Sequence, residues 1–182
     1  MVGTLEKAEN ISVNTMDQEH WYPVYTHARA EKKACAELIK KGITAYLPVI
    51  KTLKQWTDRK KWVEEPLFKS YLFVKIRVTD QANVLMTKGI SRFIYFSGKI
   101  AIMPDRQMEE LRLWLGSELP LEITGQEFKK GQQVEIMAGS LKGIKAELVD
   151  FHHEKRLILR VDSIGYAMLL QVPKGYVREI KI

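Results

Sequence analysis

The chain has a single cysteine, Cys35, so no internal disulfide can staple it. That excludes the disulfide-dense secreted scaffolds and fits a reducing compartment. No apolar run approaches the roughly 20 residues a bilayer span requires, and the N-terminus lacks the apolar core of a signal peptide. The expectation is a soluble, cytoplasmic protein with no membrane partner. Low-complexity tracts and internal repeats are also missing.

Reactive constellations are equally scarce. His20 and His27 stand alone, and His152-His153 has no obvious third metal ligand, so it reads as a hairpin tip. Cys35 sits among alanines in a helical pattern, which suits a packed thiol better than a nucleophile. In Gly139-Ser140-Leu141-Lys142-Gly143 the glycines are too close together for a phosphate loop, and no Lys-Ser/Thr follows. No carboxylates form an acid/base pair. No catalytic activity, no cofactor and no metal are expected.

Positive charge is present in excess. The net charge is +7, and it is unevenly spread. Residues 1–20 carry −3, residues 128–182 carry +4, and the body between them holds the remaining +6. A basic body of this kind is attracted to polyanions.

The richest segment is Glu65-Pro66-Leu67-Phe68 followed by Tyr71-Leu72-Phe73-Val74-Lys75-Ile76. Side chains alternate along a strand, so Leu72, Val74 and Ile76 share one face and Tyr71, Phe73 and Lys75 the other. The aliphatic face suits a helix-covered core; the aromatic face suits a partner. The same duality pairs Trp21 with Tyr25 in one strand and Ile94 with Phe96 in another. Three such strands predict one sheet with a docking surface.

Residues 1–19 are polar and aperiodic, which predicts a flexible tail. A first domain follows over residues 20–116. It opens with a strand over 20–26 and a helix over 30–41, in which Ala34, Cys35 and Leu38 share a face and Gly42 stops the helix. Strands over 43–49 and 91–96, a short helix over 82–87 and a last helix from Pro104-Asp105 complete it. Met108, Leu111 and Leu115 form the last helix's apolar stripe. Residues 117–127, with three acids, no base, two glycines and a proline counted from Gly116, read as a linker. Residues 128–182 then read as five short strands separated by glycine turns, which close most naturally as a small barrel.

Between the second strand and the Tyr71 strand lies a basic hairpin, Lys51-Thr52-Leu53-Lys54-Gln55-Trp56-Thr57-Asp58-Arg59-Lys60-Lys61-Trp62, with five bases, one acid and two tryptophans. Its cations can neutralise phosphates and its indoles can stack on unpaired bases. The competing expectation is a hairpin that uses lysines against edge pairing and packs its tryptophans on the sheet. Lys54, Arg59, Lys60 and Lys61 are its candidate contacts. The helix face bearing Arg29, Lys33 and Lys40 is a second cationic candidate, and Lys88 a third.

Taken in order and spacing, these pieces resemble the NusG transcription elongation factors, and among them the specialised paralogs typified by RfaH. Carrying the resemblance are Trp21-Tyr22, Glu65-Pro66-Leu67-Phe68 with Tyr71-Leu72-Phe73-Val74, and Gly89-Ile90-Ser91-Arg92-Phe93. In the second half it is carried by Phe128-Lys129-Lys130-Gly131-Gln132-Gln133-Val134 and Gly139–Gly143. The resemblance implies an α+β chain: an NGN-type α/β sandwich with an antiparallel-rich sheet, then a five-stranded SH3-like KOW barrel. It further implies a monomeric antitermination factor whose first domain docks on the clamp helices of RNA polymerase through Tyr25, Tyr71, Phe73 and Phe96. His27, Arg29, Lys33 and Lys88 would meet the non-template DNA strand, and the basic hairpin would face upstream DNA. Ile164, Gly165 and Tyr166 occupy the loop with which the KOW domain would recruit a small-subunit ribosomal protein or Rho. Specialised paralogs of this kind serve operons such as surface-polysaccharide loci. Two other readings stay open, a housekeeping NusG and a ribosome-associated or RNA-binding KOW protein. Valine, isoleucine and leucine dominate the late strands, which predicts a second domain committed to β structure.

Overall fold

A computed structural model describes residues 17–117, 119–173 and 175–180. Most of the expected tail, residues 1–16, lies outside the described residues. The chain divides into two compact units, Met1–Asp105 and Arg106–Ile182. In the first unit β1 (His20–Thr26) leads to α1 (Glu31–Lys40), then β2 (Thr44–Tyr46), β3 (Val49–Gln55), β4 (Lys60–Pro66) and β5 (Tyr71–Ile76). The short helix α2 (Gln81–Leu85), β6 (Ile90–Phe93), β7 (Tyr95–Phe96) and β8 (Lys99–Ile100) follow. Helix α3 (Asp105–Leu115) crosses the division. The second unit continues through β9 (Leu121–Thr124), β10 (Gln132–Ile136), β11 (Lys145–Phe151), β12 (Glu154–Val161), β13 (Tyr166–Leu170) and β14 (Val177–Glu179). No helix among the described residues is long and apolar enough to cross a membrane.

The first unit is built on an antiparallel sheet of order β2-β5-β1-β6. Its aliphatic face holds Tyr22 and Val24 of β1 with Leu72, Val74 and Ile76 of β5. Ala34 and Leu38 of α1 and Val84 of α2 pack into that cluster, so both helices cover one face, as the periodicity requires. Each fully buried large aliphatic side chain contributes about 1.5–3 kcal/mol. Helix α1 stops where expected: Gly42, at φ +78°, takes the left-handed position that follows a helix end.

The expected continuous strand over residues 91–96 is broken. Ile94 belongs to no strand, although its N–H still donates to the Pro23 C=O of β1 at 3.4 Å, and β7 pairs with β8 across Ser97 and Gly98, whose φ values of +50° and +77° suit a tight hairpin turn. In α3 the buried stripe is Met108, Leu111 and Trp114; Leu115, expected there, is only half-buried.

In the second unit all five expected strands are present and antiparallel, and the last, β14, pairs back on the first, β10. A sixth strand corrects the linker expectation. Leu121–Thr124 pairs with β13 in the register Leu121↔Leu170 and Thr124↔Ala167. Leu121 and Ile123 alternate with Glu122 and Thr124, a short strand pattern that the surrounding Gly, Pro and acidic residues obscure. His152 and His153, at φ +48° and +64°, form the β11–β12 turn, with both side chains exposed.

Candidate functional site

The face of the first sheet away from α1 is aromatic. Register places Trp21, Pro23 and Tyr25 of β1 directly opposite Lys75, Phe73 and Tyr71 of β5. Burial is graded along this face: Trp21, Pro23 and Phe73 are buried, whereas Tyr25 and Tyr71 are half-buried. The two tyrosine rings meet edge-to-face at 5.2 Å, an arrangement worth about 0.5–1.5 kcal/mol beyond burial. Arg92, opposite Tyr25 on β6, holds its guanidinium 4.6 Å from the centre of the Tyr25 ring. Lys75, at the other end, pairs with Asp105 at 3.2 Å and lies 6.0 Å from the Trp21 ring centre.

Two of the four aromatic candidates do not fit the expected cluster. Phe73 is 0 % exposed and packs edge-on against Phe68 at 6.5 Å, so it is a core residue and presents no surface to a partner. Phe96 is 75 % exposed, but it stands on the β7–β8 hairpin, outside the four-stranded sheet. Tyr25 and Tyr71 are brought together. Arg92 is the residue sequence reasoning missed: alternation points it away from the buried Phe93, but the strand is irregular, with both Ile90 and Phe93 buried and a register shift at Tyr25/Thr26.

His27, Arg29, Lys33 and Lys88 gather at the same end of the sheet. Thr26 N–H donates to Ser70 C=O at 2.8 Å, and His27 N–H donates to Gly89 C=O at 2.9 Å. Gly89 has φ +96°, and a Cβ there would lie 3.2 Å from the Cβ atoms of Ala30 and Ala34. Only glycine allows so close an approach in that backbone region. Lys88 is thereby held beside the start of α1, next to the turn that carries His27 and Arg29, and Lys33 follows on the helix. All four side chains are exposed. Arg29 itself has φ +63°, a backbone strain common at working positions. The buried Glu31 carboxylate accepts the Ser70 N–H at 2.7 Å and also meets the positive end of α1. That bond ties the residue before Tyr71 to the same helix start. Tyr25, Tyr71, His27 and Arg29 therefore belong to one braced corner.

The basic segment forms the β3–β4 hairpin, with Gln55 opposite Lys60, Lys54 opposite Lys61 and Leu53 opposite Trp62. Its turn is closed by Trp56 N–H donating to Arg59 C=O at 2.8 Å. At its base Lys32 of α1 donates to Glu64 C=O at 2.7 Å. Contrary to the packed alternative, Trp56 and Trp62 are 58 % and 65 % exposed. Lys54, Arg59, Lys60 and Lys61 are exposed too.

In the second unit the turn between β12 and β13 carries Ile164, Gly165 and Tyr166. Ile164 is buried, which removes it as a contact; Gly165, at φ +69°, is exposed and Tyr166 is half-exposed. Nearby, Arg160 Nη2 and Nε donate to Glu147 at 2.8 and 3.3 Å, and Gly131 N–H donates to the same carboxylate at 2.6 Å. Arg160 also reaches the carbonyls of Phe128 and Lys129 at 3.1 and 3.2 Å. The side-chain bond to Arg160 holds the Glu147 carboxyl below the usual carboxylate range, and the Gly131 amide adds to it. Burial pushes the Cys35 thiol up, away from the reactive thiolate.

The family described as NusG, transcription termination factor nusG, matches residues 19–112. The chain belongs to the NusG family. The transcription termination/antitermination protein NusG of Lactococcus lactis subsp. lactis (strain IL1403) is 23 % identical over 175 residues, covering 88 % of this chain and 93 % of that protein. Among solved structures, one on domain interaction in Thermotoga maritima NusG aligns at 18 % identity with a TM-score of 0.47, covering 90 % of this chain and 98 % of the other. A chain of the MjSpt4:Spt5 complex aligns at 18 % identity with a TM-score of 0.29, covering 88 % and 97 % respectively. The α+β architecture and antiparallel sheets expected from the NusG resemblance are those observed. As a NusG-family chain, the protein is a transcription termination/antitermination factor.

Proposed function

We propose that this chain acts as a specialised, RfaH-type antitermination factor that rides on RNA polymerase. Residues 20–116 serve as the polymerase-binding domain and residues 128–182 recruit a further factor. Tyr25 and Tyr71 are the docking residues on the clamp helices of the largest subunit, with Arg92 and the exposed Phe96 beside them as supporting contacts. The observation that carries this is the half-buried Tyr25–Tyr71 pair under the Arg92 guanidinium. Aromatics and arginine are the residue types that dominate interface energetics, the aromatics because they bury large area at little entropic cost and arginine through its planar, many-donor guanidinium. A protein bound there would favour the closed, elongating form of the enzyme by population shift, which suppresses pausing without any chemistry.

In this reading Arg29, Lys33 and Lys88, at the same corner, neutralise phosphates of the non-template strand with His27 as a further contact, and the β3–β4 hairpin neutralises those of nearby DNA. In the second unit Gly165 and Tyr166 are the proposed contacts for a small-subunit ribosomal protein or Rho. The target operon would be a specific one, such as a surface-polysaccharide locus. The test is binding of Tyr25→Ala and Tyr71→Ala to a reconstituted bacterial elongation complex, after circular dichroism shows both fold. Each is expected to weaken the complex about 30-fold, the scale of an interface hot spot. Wild-type affinity in both folded variants would refute the docking assignment.

A further inference from the structure

The β3–β4 hairpin breaks three rules of a merely structural ribbon, and it breaks them in one place. Lys54 and Lys61 face each other directly across the strands, where like charges repel. Leu53 and Trp62, also a direct cross-strand pair, are 46 % and 65 % exposed instead of packed. Trp56 stands exposed in the turn. Departures from folding rules that gather on one hairpin mark a working element.

Alternation sorts these residues by face. Leu53 and Trp62 lie on one face with Lys51 and Lys60, while Lys54 and Lys61 lie on the other with Thr52 and Val63. The first face combines an apolar platform with flanking cations. The second is a doubled positive charge that one acid, Glu65, meets through Lys54 at 3.0 Å. Residues 51–62 carry five bases against Asp58 alone.

Resting on the nucleic-acid contact proposed above, we infer that this hairpin binds unpaired single-stranded DNA, with Trp62 and Trp56 stacking on exposed bases while Lys51, Lys54, Lys60 and Lys61 neutralise the phosphates. A duplex offers no free base faces to an indole, so it would use the lysines only. DNA rather than RNA is assigned because the hairpin belongs to the DNA contact proposed above, and the oligouridylate arm of the test decides between the two.

The test measures full-length protein binding to a fluorescent oligothymidylate of about twelve nucleotides, within the usual site sizes for such surfaces. Duplex DNA and the matching oligouridylate are run beside it, at about 50 mM and about 200 mM salt. The single strand is expected to bind at least about 10-fold tighter than the duplex. Trp62→Ala and Trp56→Ala should each weaken it about 10-fold, which is about 1.4 kcal/mol per lost stack, with an unchanged salt slope. Lys54→Gln/Lys61→Gln should instead flatten the salt dependence and weaken single strand and duplex alike. All four side chains are exposed, so the variants keep the fold, and far-ultraviolet circular dichroism verifies it. Equal binding of duplex and single strand, wild-type affinity in both tryptophan variants, or tighter binding of the oligouridylate each overturns the inference. Elongation-complex binding is measured in the same variants. If it persists while single-strand binding is absent, the hairpin inference fails alone and the docking proposal stands.

Discussion

Replacing Glu147 by Gln tests whether the Arg160–Glu147–Gly131 network braces the second unit. Glu147 is 16 % exposed and accepts three hydrogen bonds, two from Arg160 and one from the Gly131 amide. Glutamine keeps one acceptor oxygen and turns an NH2 toward the guanidinium, so at least one bond becomes a donor facing a donor. Bonds to charged groups contribute about 1.5–3 kcal/mol each. Arg160 retains its two carbonyl partners and is 30 % exposed. The expected loss is therefore in the lower part of that range, about 2 kcal/mol. Urea unfolding and amide exchange of β10–β13 measure it; exchange through unfolding should quicken about 30-fold. The pH dependence fixes the cause. A carboxyl whose folded pKa is lowered stabilises fully above its unfolded value, about 4.3, and loses that contribution as pH falls through the folded pKa. The gap between wild type and variant should stay constant from neutral pH down to about 4.3 and close below it. Equal stability at neutral pH, or a gap that widens in acid, would show that the network does not brace the fold.

Gly131→Ala should cost about 1–3 kcal/mol, because a Cβ there would lie 2.1 Å from the Leu148 carbonyl oxygen, and the backbone must shift away from Glu147. Urea unfolding checks it, and a stable Gly131→Ala protein would disprove the close approach. Phe73→Ala should lose about 3–5 kcal/mol as a buried truncation, in contrast to a change of less than about 1 kcal/mol for Phe96→Ala. Thermal unfolding of the pair separates a core role from a surface one, and equal melting temperatures would contradict the burial.

The parts of the fold legible in the sequence were those set by local rules. Period-two alternation identified β1 and β5 and sorted Leu72, Val74 and Ile76 from Tyr71, Phe73 and Lys75, and glycine placed the end of α1. The failures share one physical origin, the partner that a segment finds in the fold and that its own pattern does not announce. The strand expected over 91–96 breaks after Phe93 because Tyr95 and Phe96 pair across a tight turn with Lys99 and Ile100. Leu121–Thr124 becomes a strand because the β13 edge accepts it, although its own composition reads as linker. Phe73 and Ile164 carry the right chemistry for contact residues, yet burial removes them from the surface, and no pattern in one chain distinguishes a second core layer from a docking face.

The same reasoning explains why the candidate site was half visible. Tyr25 and Tyr71 are 46 positions apart in sequence, yet register makes them direct partners. His27, Arg29 and Lys88 join them only because Thr26 binds Ser70 and His27 binds Gly89 through the backbone. Sequence proposed each residue separately, as an aromatic on a strand or a charge on a helix. The corner exists because three chain reversals are pinned together by main-chain hydrogen bonds, one buried carboxylate and one glycine. A substitution at Gly89 or Glu31 would therefore disturb the proposed polymerase docking and DNA contact together, although neither residue touches a ligand in the proposed arrangement.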